Sequence, residues 1–170
     1  ERDAKGGTNI WKVQLWSKEK KGEGYKDSSM SDPQNKKVEV YKLVGAGDPS
    51  KAFSSRVIFV LYSYPQLVPD KNYQFAGRLK LQDVKQMSRL VAAIRGGGVK
   101  DLYSESSSGT KDWAEYNVNF EVKETCTPVY FSVELWGPGI VWVGELKLIE
   151  KDELPLQFSL LQKEVSISDK

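Results

Sequence analysis

The stretch Val129-Tyr130-Phe131-Ser132-Val133-Glu134-Leu135-Trp136, followed by Gly137-Pro138-Gly139 and by Ile140-Val141-Trp142-Val143-Gly144-Glu145-Leu146-Lys147-Leu148-Ile149-Glu150, decides the fold class. Successive side chains of an extended chain point to opposite faces. Phe131, Val133 and Leu135 therefore fall on one face, and Tyr130, Ser132, Glu134 and Trp136 on the other. Two such β-forming runs joined by a short Gly-rich connection predict a hairpin.

Further strands are read by the same alternation, working outward from this pair. Trp113 to Val122 alternates Tyr116, Val118 and Phe120 against Asn117, Asn119 and Glu121, and Tyr73 to Leu81 alternates with period two. In the latter run Phe75, Gly77, Leu79 and Leu81 point inward, and Gln74, Arg78, Lys80 and Gln82 outward. Phe53 to Tyr64 is apolar on both faces, as a buried strand requires. Val38 to Val44, a first strand with apolar residues at 11, 13 and 15, and a last one around Leu156 to Leu161 complete the set. Lys18 to Gly24 reads as a solvated loop, and Gly96-Gly97-Gly98 and Ser104 to Gly109 as flexible connections. Gln82 to Arg95 is ambiguous: Val84, Met87, Val91 and Ile94 recur near helical spacing, while Leu90, Ala92 and Ile94 fit a strand. A loop followed by a strand from about Arg89 to Arg95 agrees with its strand neighbours. Many short strands without a long helix predict an all-β sandwich or barrel of two antiparallel sheets.

A chain of 170 residues suits one domain. It divides into a core over 37–150, an N-terminal strand and loop over 1–36, and a C-terminal strand and tail over 151–170. No run approaches the roughly 18 apolar residues of a membrane span, so no membrane insertion is expected. The net charge of +2 gives no footprint for nucleic acid, although residues 1–85 carry 16 basic and 10 acidic groups and residues 86–170 carry 9 and 13. The chain has no His, which removes Ser-His-Asp and Cys-His catalysis and the common zinc sites within it. Its single cysteine, Cys126, permits no internal disulfide and reads as a small structural residue. Opening without Met, the chain reads as a processed protein or an excised module.

Three segments resemble the bacterial carbohydrate-binding modules of jelly-roll, galactose-binding-like fold that are attached to xylanases and glucanases. They are Tyr73-Gln74-Phe75-Ala76-Gly77-Arg78-Leu79-Lys80, Asp112 to Phe120, and Tyr130 to Leu148. The resemblance covers residues 37–150 and implies a jelly-roll β-sandwich that binds polysaccharide or oligosaccharide without catalysis. It further implies an extracellular or cell-surface setting, with attached catalytic or surface domains. Members commonly carry a structural calcium beside an acidic pair after the last strand's first aliphatic residue. Here Val143 is followed by Gly144-Glu145, which leaves the metal open. Arg78 stands where many members have Trp.

Flat aromatic faces suit pyranose C–H groups, and planar amide, carboxylate and guanidinium groups suit sugar hydroxyls. The expected ligand-binding residues are therefore Trp136, Tyr130, Glu134, Arg78, Gln74, Gln82 and Lys80, with Trp136 foremost. Tyr62 and Tyr64 could border a groove or belong to the core; Trp113 and Trp142 read as structural. No catalytic residue is assigned. A Glu134–Glu145 pair facing across the hairpin would be the carboxylates of a small polysaccharide-cleaving enzyme. A structural or adhesive sandwich is the other reading.

Overall fold

The computed structural model describes residues 11–17, 22–51, 55–61, 67–95, 101–123 and 127–151. Nine strands account for its regular structure: β1 (Trp11–Ser17), β2 (Glu23–Lys26), β3 (Tyr41–Gly45), β4 (Ser55–Leu61), β5 (Lys71–Arg95), β6 (Leu102–Tyr103), β7 (Ser107–Val122), β8 (Thr127–Trp136) and β9 (Gly139–Glu150). All pairings are antiparallel.

The organising element is β5, 25 residues long. Its first half pairs with β7 and β9, and its second half with β8, β6 and the start of β7. Two layers result. The first runs β2-β3-β9-β5-β7 and the second β1-β4-β8-β5-β6. Their inner faces meet in one core, where Phe75 of the first layer lies 5.2 Å from Phe131 of the second, and Tyr41 lies 4.5 Å from Phe59, ring centre to ring centre. This is the expected all-β sandwich of two antiparallel layers. The predicted inward sets are buried: Phe75, Leu79 and Leu81 on β5, and Phe131, Val133 and Leu135 on β8.

Residues 82–95 are strand throughout, so the loop expected before Arg89 is corrected. The register shifts between Leu79 and Leu81, Leu81 and Val84, and Val84 and Ser88. Asp83 takes left-handed geometry at φ 51°, a conformation Asp tolerates, and its N–H donates to Thr110 Oγ1 at 3.0 Å. The near-helical spacing has a simple origin. Leu90 and Ala92 face the core, yet Val91 and Ala93 on the opposite face are buried too, and a strand apolar on both faces shows no period of two.

The predicted β8–β9 hairpin does not form. β8 pairs with β4 and β5, β9 with β3 and β5, and Gly137-Pro138 carries the chain from one layer to the other. The connection packs on the bend of β5: Lys85 N–H donates to Pro138 O at 2.9 Å, and a Cβ on Gly139 (φ +143°) would lie 2.6 Å from Val84 Cα. Two smaller corrections concern segments read as loops. Glu23–Lys26 forms an edge strand on β3, and β7 begins at Ser107 within the Ser-rich tract. Val38 and Glu39 precede β3 rather than belonging to it. The Gly96-Gly97-Gly98 connection, Cys126, Tyr62, Tyr64 and the strand around Leu156 to Leu161 lie outside the described residues. Among the described residues no helix is long and apolar enough to cross a membrane.

Candidate functional site

The seven expected ligand residues fall on two opposite surfaces of the sandwich. Gln74, Arg78, Lys80 and Gln82 lie on the outer face of the first layer, and Tyr130, Glu134 and Trp136 on that of the second. The outward phase was legible on each strand. That the two strands sit in different layers was not, because β5 changes layer within one uninterrupted run.

On the first layer, most of these side chains are engaged by the protein. Gln74 donates to Asn119 Oδ1 at 3.0 Å. Arg78 is 7% exposed, and its Nε donates at 2.9 Å to Asp32, which is fully buried. Lys80 lies 6.0 Å from the ring centre of Trp142 and 3.8 Å from Asp112, while Gln82 is exposed. Lys80, Trp142, Lys42 and Tyr25 are consecutive cross-strand partners, with Lys42 5.4 Å from the Trp142 ring and 5.8 Å from that of Tyr25. Trp142 thus faces outward, not in phase with Leu146 and Leu148, because the register shifts by one residue between the two stretches. It is buried beneath the lysine stems, and its indole N–H donates to Asp27 at 3.0 Å.

Asp32 occupies the place where a calcium would be sought. Its Oδ1 accepts from Gln34 N–H and Arg78 Nε, and its Oδ2 from Glu145 N–H at 3.3 Å, beside Gly144. Burial opposes its ionisation, but the Gln34 N–H, the Arg78 guanidinium and the Glu145 N–H outweigh that and hold its carboxyl below the usual range. Both oxygens and the charge are thereby satisfied by a guanidinium and backbone donors. Among the described residues no group of three acidic, His or Cys side chains could hold a metal. These residues do not fit a calcium cage at Gly144-Glu145.

The second layer carries a different arrangement. Glu134, 3% exposed, lies between two arginines: Arg89 Nε donates to Oε1 at 2.5 Å, and Arg56 Nη1 to Oε2 at 3.4 Å. Arg56 lies 5.0 Å from the ring centre of Trp136, and Arg89 only 3.8 Å from that of Tyr103. A continuous band results across β4, β8, β5 and β6, in which aromatic rings flank a guanidinium–carboxylate–guanidinium centre. Tyr103 is 49% exposed, and Trp136 and Tyr130 are half-buried. Burial raises the Tyr130 hydroxyl pKa, with Asp101 and Glu134 reinforcing the shift and Arg56 opposing it. The phenol is therefore a neutral donor at physiological pH. Ser132, between Tyr130 and Glu134 on β8, is 1% exposed.

Arg56 and Arg89 were missed in the sequence although a signal exists. Each is the charged member of an outward-facing set that is otherwise apolar, Arg56 with Ile58 and Val60, and Arg89 with Val91 and Ala93. Tyr103 sits in a two-residue strand after a Gly-rich connection, where no period can be read. The Glu134–Glu145 carboxylate pair is corrected, since β8 and β9 do not pair and the two residues lie in different layers.

No protein-family model matches the sequence, and no curated protein matches it. The fold does have solved counterparts. A structure of TmCBM61 in complex with beta-1,4-galactotriose has a TM-score of 0.50 at 14% identity, with 83% of this chain covering 88% of that one. The Clostridium thermocellum N-terminal endo-1,4-beta-D-xylanase 10B, as CBM22-1-GH10 modules complexed with xylohexaose, has a TM-score of 0.54 at 7% identity over 82% of this chain. The chain has the fold of these carbohydrate-binding modules. The same fold also aligns with the enzymatically active domain of bacteriophage CBA120 tailspike protein 4, with a TM-score of 0.56 at 9% identity over 83% of this chain. This chain spans 19% of the tailspike chain and 26% of the xylanase chain.

Proposed function

We propose that this domain is a non-catalytic carbohydrate-binding module that engages polysaccharide on the outer face of its second layer, through Trp136, Tyr130, Glu134, Arg56, Arg89 and Tyr103. The observation that carries this reading is the band of aromatic rings around the Arg56–Glu134–Arg89 centre. Rings offer π faces to the C–H groups of a pyranose, while the charged centre offers guanidinium donors to its hydroxyls. The arginines are fixed by Glu134 and by the rings, so little side-chain freedom is lost when a sugar docks. The oligosaccharides bound by TmCBM61 and the xylanase modules support the assignment. The place of the xylanase module in a longer chain beside a GH10 module supports a role beside attached catalytic or surface domains, in an extracellular or cell-surface protein.

Affinity electrophoresis through gels containing xylan, β-glucan, galactan or polygalacturonate tests this directly. Retardation by at least one polysaccharide, reduced in Trp136→Ala while far-UV circular dichroism stays unchanged, is the expected outcome. Migration unaffected by every glycan would sink the assignment, and shortened products would overturn its non-catalytic part.

A further inference from the structure

Resting on the proposed glycan face, we infer that its occupant is a polysaccharide bearing carboxylates, captured at a subsite built from Arg89, Ser132 and Tyr103. Glu134 is divided between two guanidiniums, so Arg89 does not have this carboxylate to itself. Arg89 meets it at one point, through Nε, and its remaining contact is the Tyr103 ring. Among the described residues neither Nη group has a hydrogen-bond partner, on a side chain only 21% exposed. A guanidinium held flat on an aromatic ring presents a planar fork whose spacing matches the two oxygens of a carboxylate. A largely desolvated cation that shares its counter-ion gains most from a second one.

The neighbouring atoms suit the same guest. Ser132 Oγ is buried and has no hydrogen-bond partner. Ser132 is the cross-strand partner of Val91, and Glu134 that of Arg89. Ser132 and Arg89 are thus diagonal neighbours, at about 7–8 Å between backbones, a span that one sugar residue bridges with a carboxylate on the fork and a ring hydroxyl on the serine. Tyr103, the other cross-strand partner of Val91, is half exposed and offers its ring beside them as a stacking surface. Among the described residues, Glu134 is spent between the arginines, Asp101 has an interaction of its own and acts on Tyr130, and Glu105, just beyond the Ser104–Leu90 bond, is exposed. Lys80 and Arg78, the cations among the ligand residues expected from the sequence, lie on the opposite surface.

The test compares polygalacturonate with the same polymer after carboxyl reduction, using the full 170-residue chain in affinity electrophoresis and titration calorimetry. Wild type is expected to bind the acidic polymer about tenfold or more tightly than the reduced one, as loss of a charge-assisted hydrogen bond implies. Added salt should narrow that ratio. Arg89→Lys, which keeps the charge and loses the fork, should lie between wild type and Arg89→Gln. Ser132→Ala should weaken both polymers, leaving their ratio unchanged. Because Arg89→Gln also removes one of the two partners of Glu134, the wild-type ratio and Ser132→Ala keep the test independent of its folding. Equal binding of the two polymers, or tight binding of neutral glycans alone, overturns the acidic occupant and leaves the glycan face standing. Binding of no polysaccharide at all overturns the glycan face itself.

Discussion

Asp32 and Glu134 are both buried carboxylates held by arginine, one on each outer surface, and they differ in what else they touch. Asp32 accepts two backbone N–H groups besides Arg78, so it is satisfied within the protein and ties the segment before β3 to β5 and β9. Its carboxyl pKa is lowered in the folded state. A depressed carboxyl adds stability that is complete above the unfolded pKa of about 3.9 and disappears as pH falls toward the folded value. Stability should therefore drop as pH falls below about 4, and Asp32→Asn should flatten that acid limb in urea titrations at stepped pH. A variant that kept the full acid slope would assign it to other carboxylates. Glu134 instead anchors the two arginines of the proposed glycan face. Glu134→Gln leaves the largely buried Arg89 guanidinium short of a counter-charge and should cost about 2–4 kcal/mol, read from the urea midpoint.

At the scale of elements, β5 and the β8–β9 connection explain each other. The bend at Asp83 lets one strand serve both layers, and Gly137-Pro138-Gly139 crosses between the layers against that bend. A bulge turns a strand and re-aims the side chains beyond it. The same device puts Lys80 and Arg89, on one strand, on opposite surfaces. Gly139→Ala forces a Cβ against Val84 and an L-residue into a disfavoured φ. It should lower stability by about 1–3 kcal/mol with an unchanged denaturant slope.

Across the whole molecule, the layers are coupled by a shared strand and a shared core. Gly77 marks their close approach, since a Cβ there would meet Leu146 Cδ2 of its own layer at 2.5 Å and Leu90 Cδ2 of the second at 3.1 Å. Gly77→Val should overpack this contact at about 1–3 kcal/mol, visible as a lowered thermal midpoint. With β5 in both layers, unfolding should be a single transition, with tryptophan fluorescence and far-UV circular dichroism coinciding; separate midpoints would show that the layers melt independently.

Alternation determined by itself which residues enter the core: Phe75, Leu79, Leu81, Phe131, Val133 and Leu135 lie where period two puts them. It also determined the all-β class and the outward phase of Tyr130, Glu134 and Trp136, because these are properties of one extended segment at a time. Layer membership was decided only by tertiary structure. Val129 to Glu150 looks like a hairpin because turn chemistry is local, yet its strands part, since each finds a longer partner in β5. The band of Arg56, Glu134, Arg89 and Tyr103 joins residues 56, 89, 103 and 134 across four strands. No spacing within the chain encodes such a neighbourhood; hydrogen-bond register between distant strands creates it.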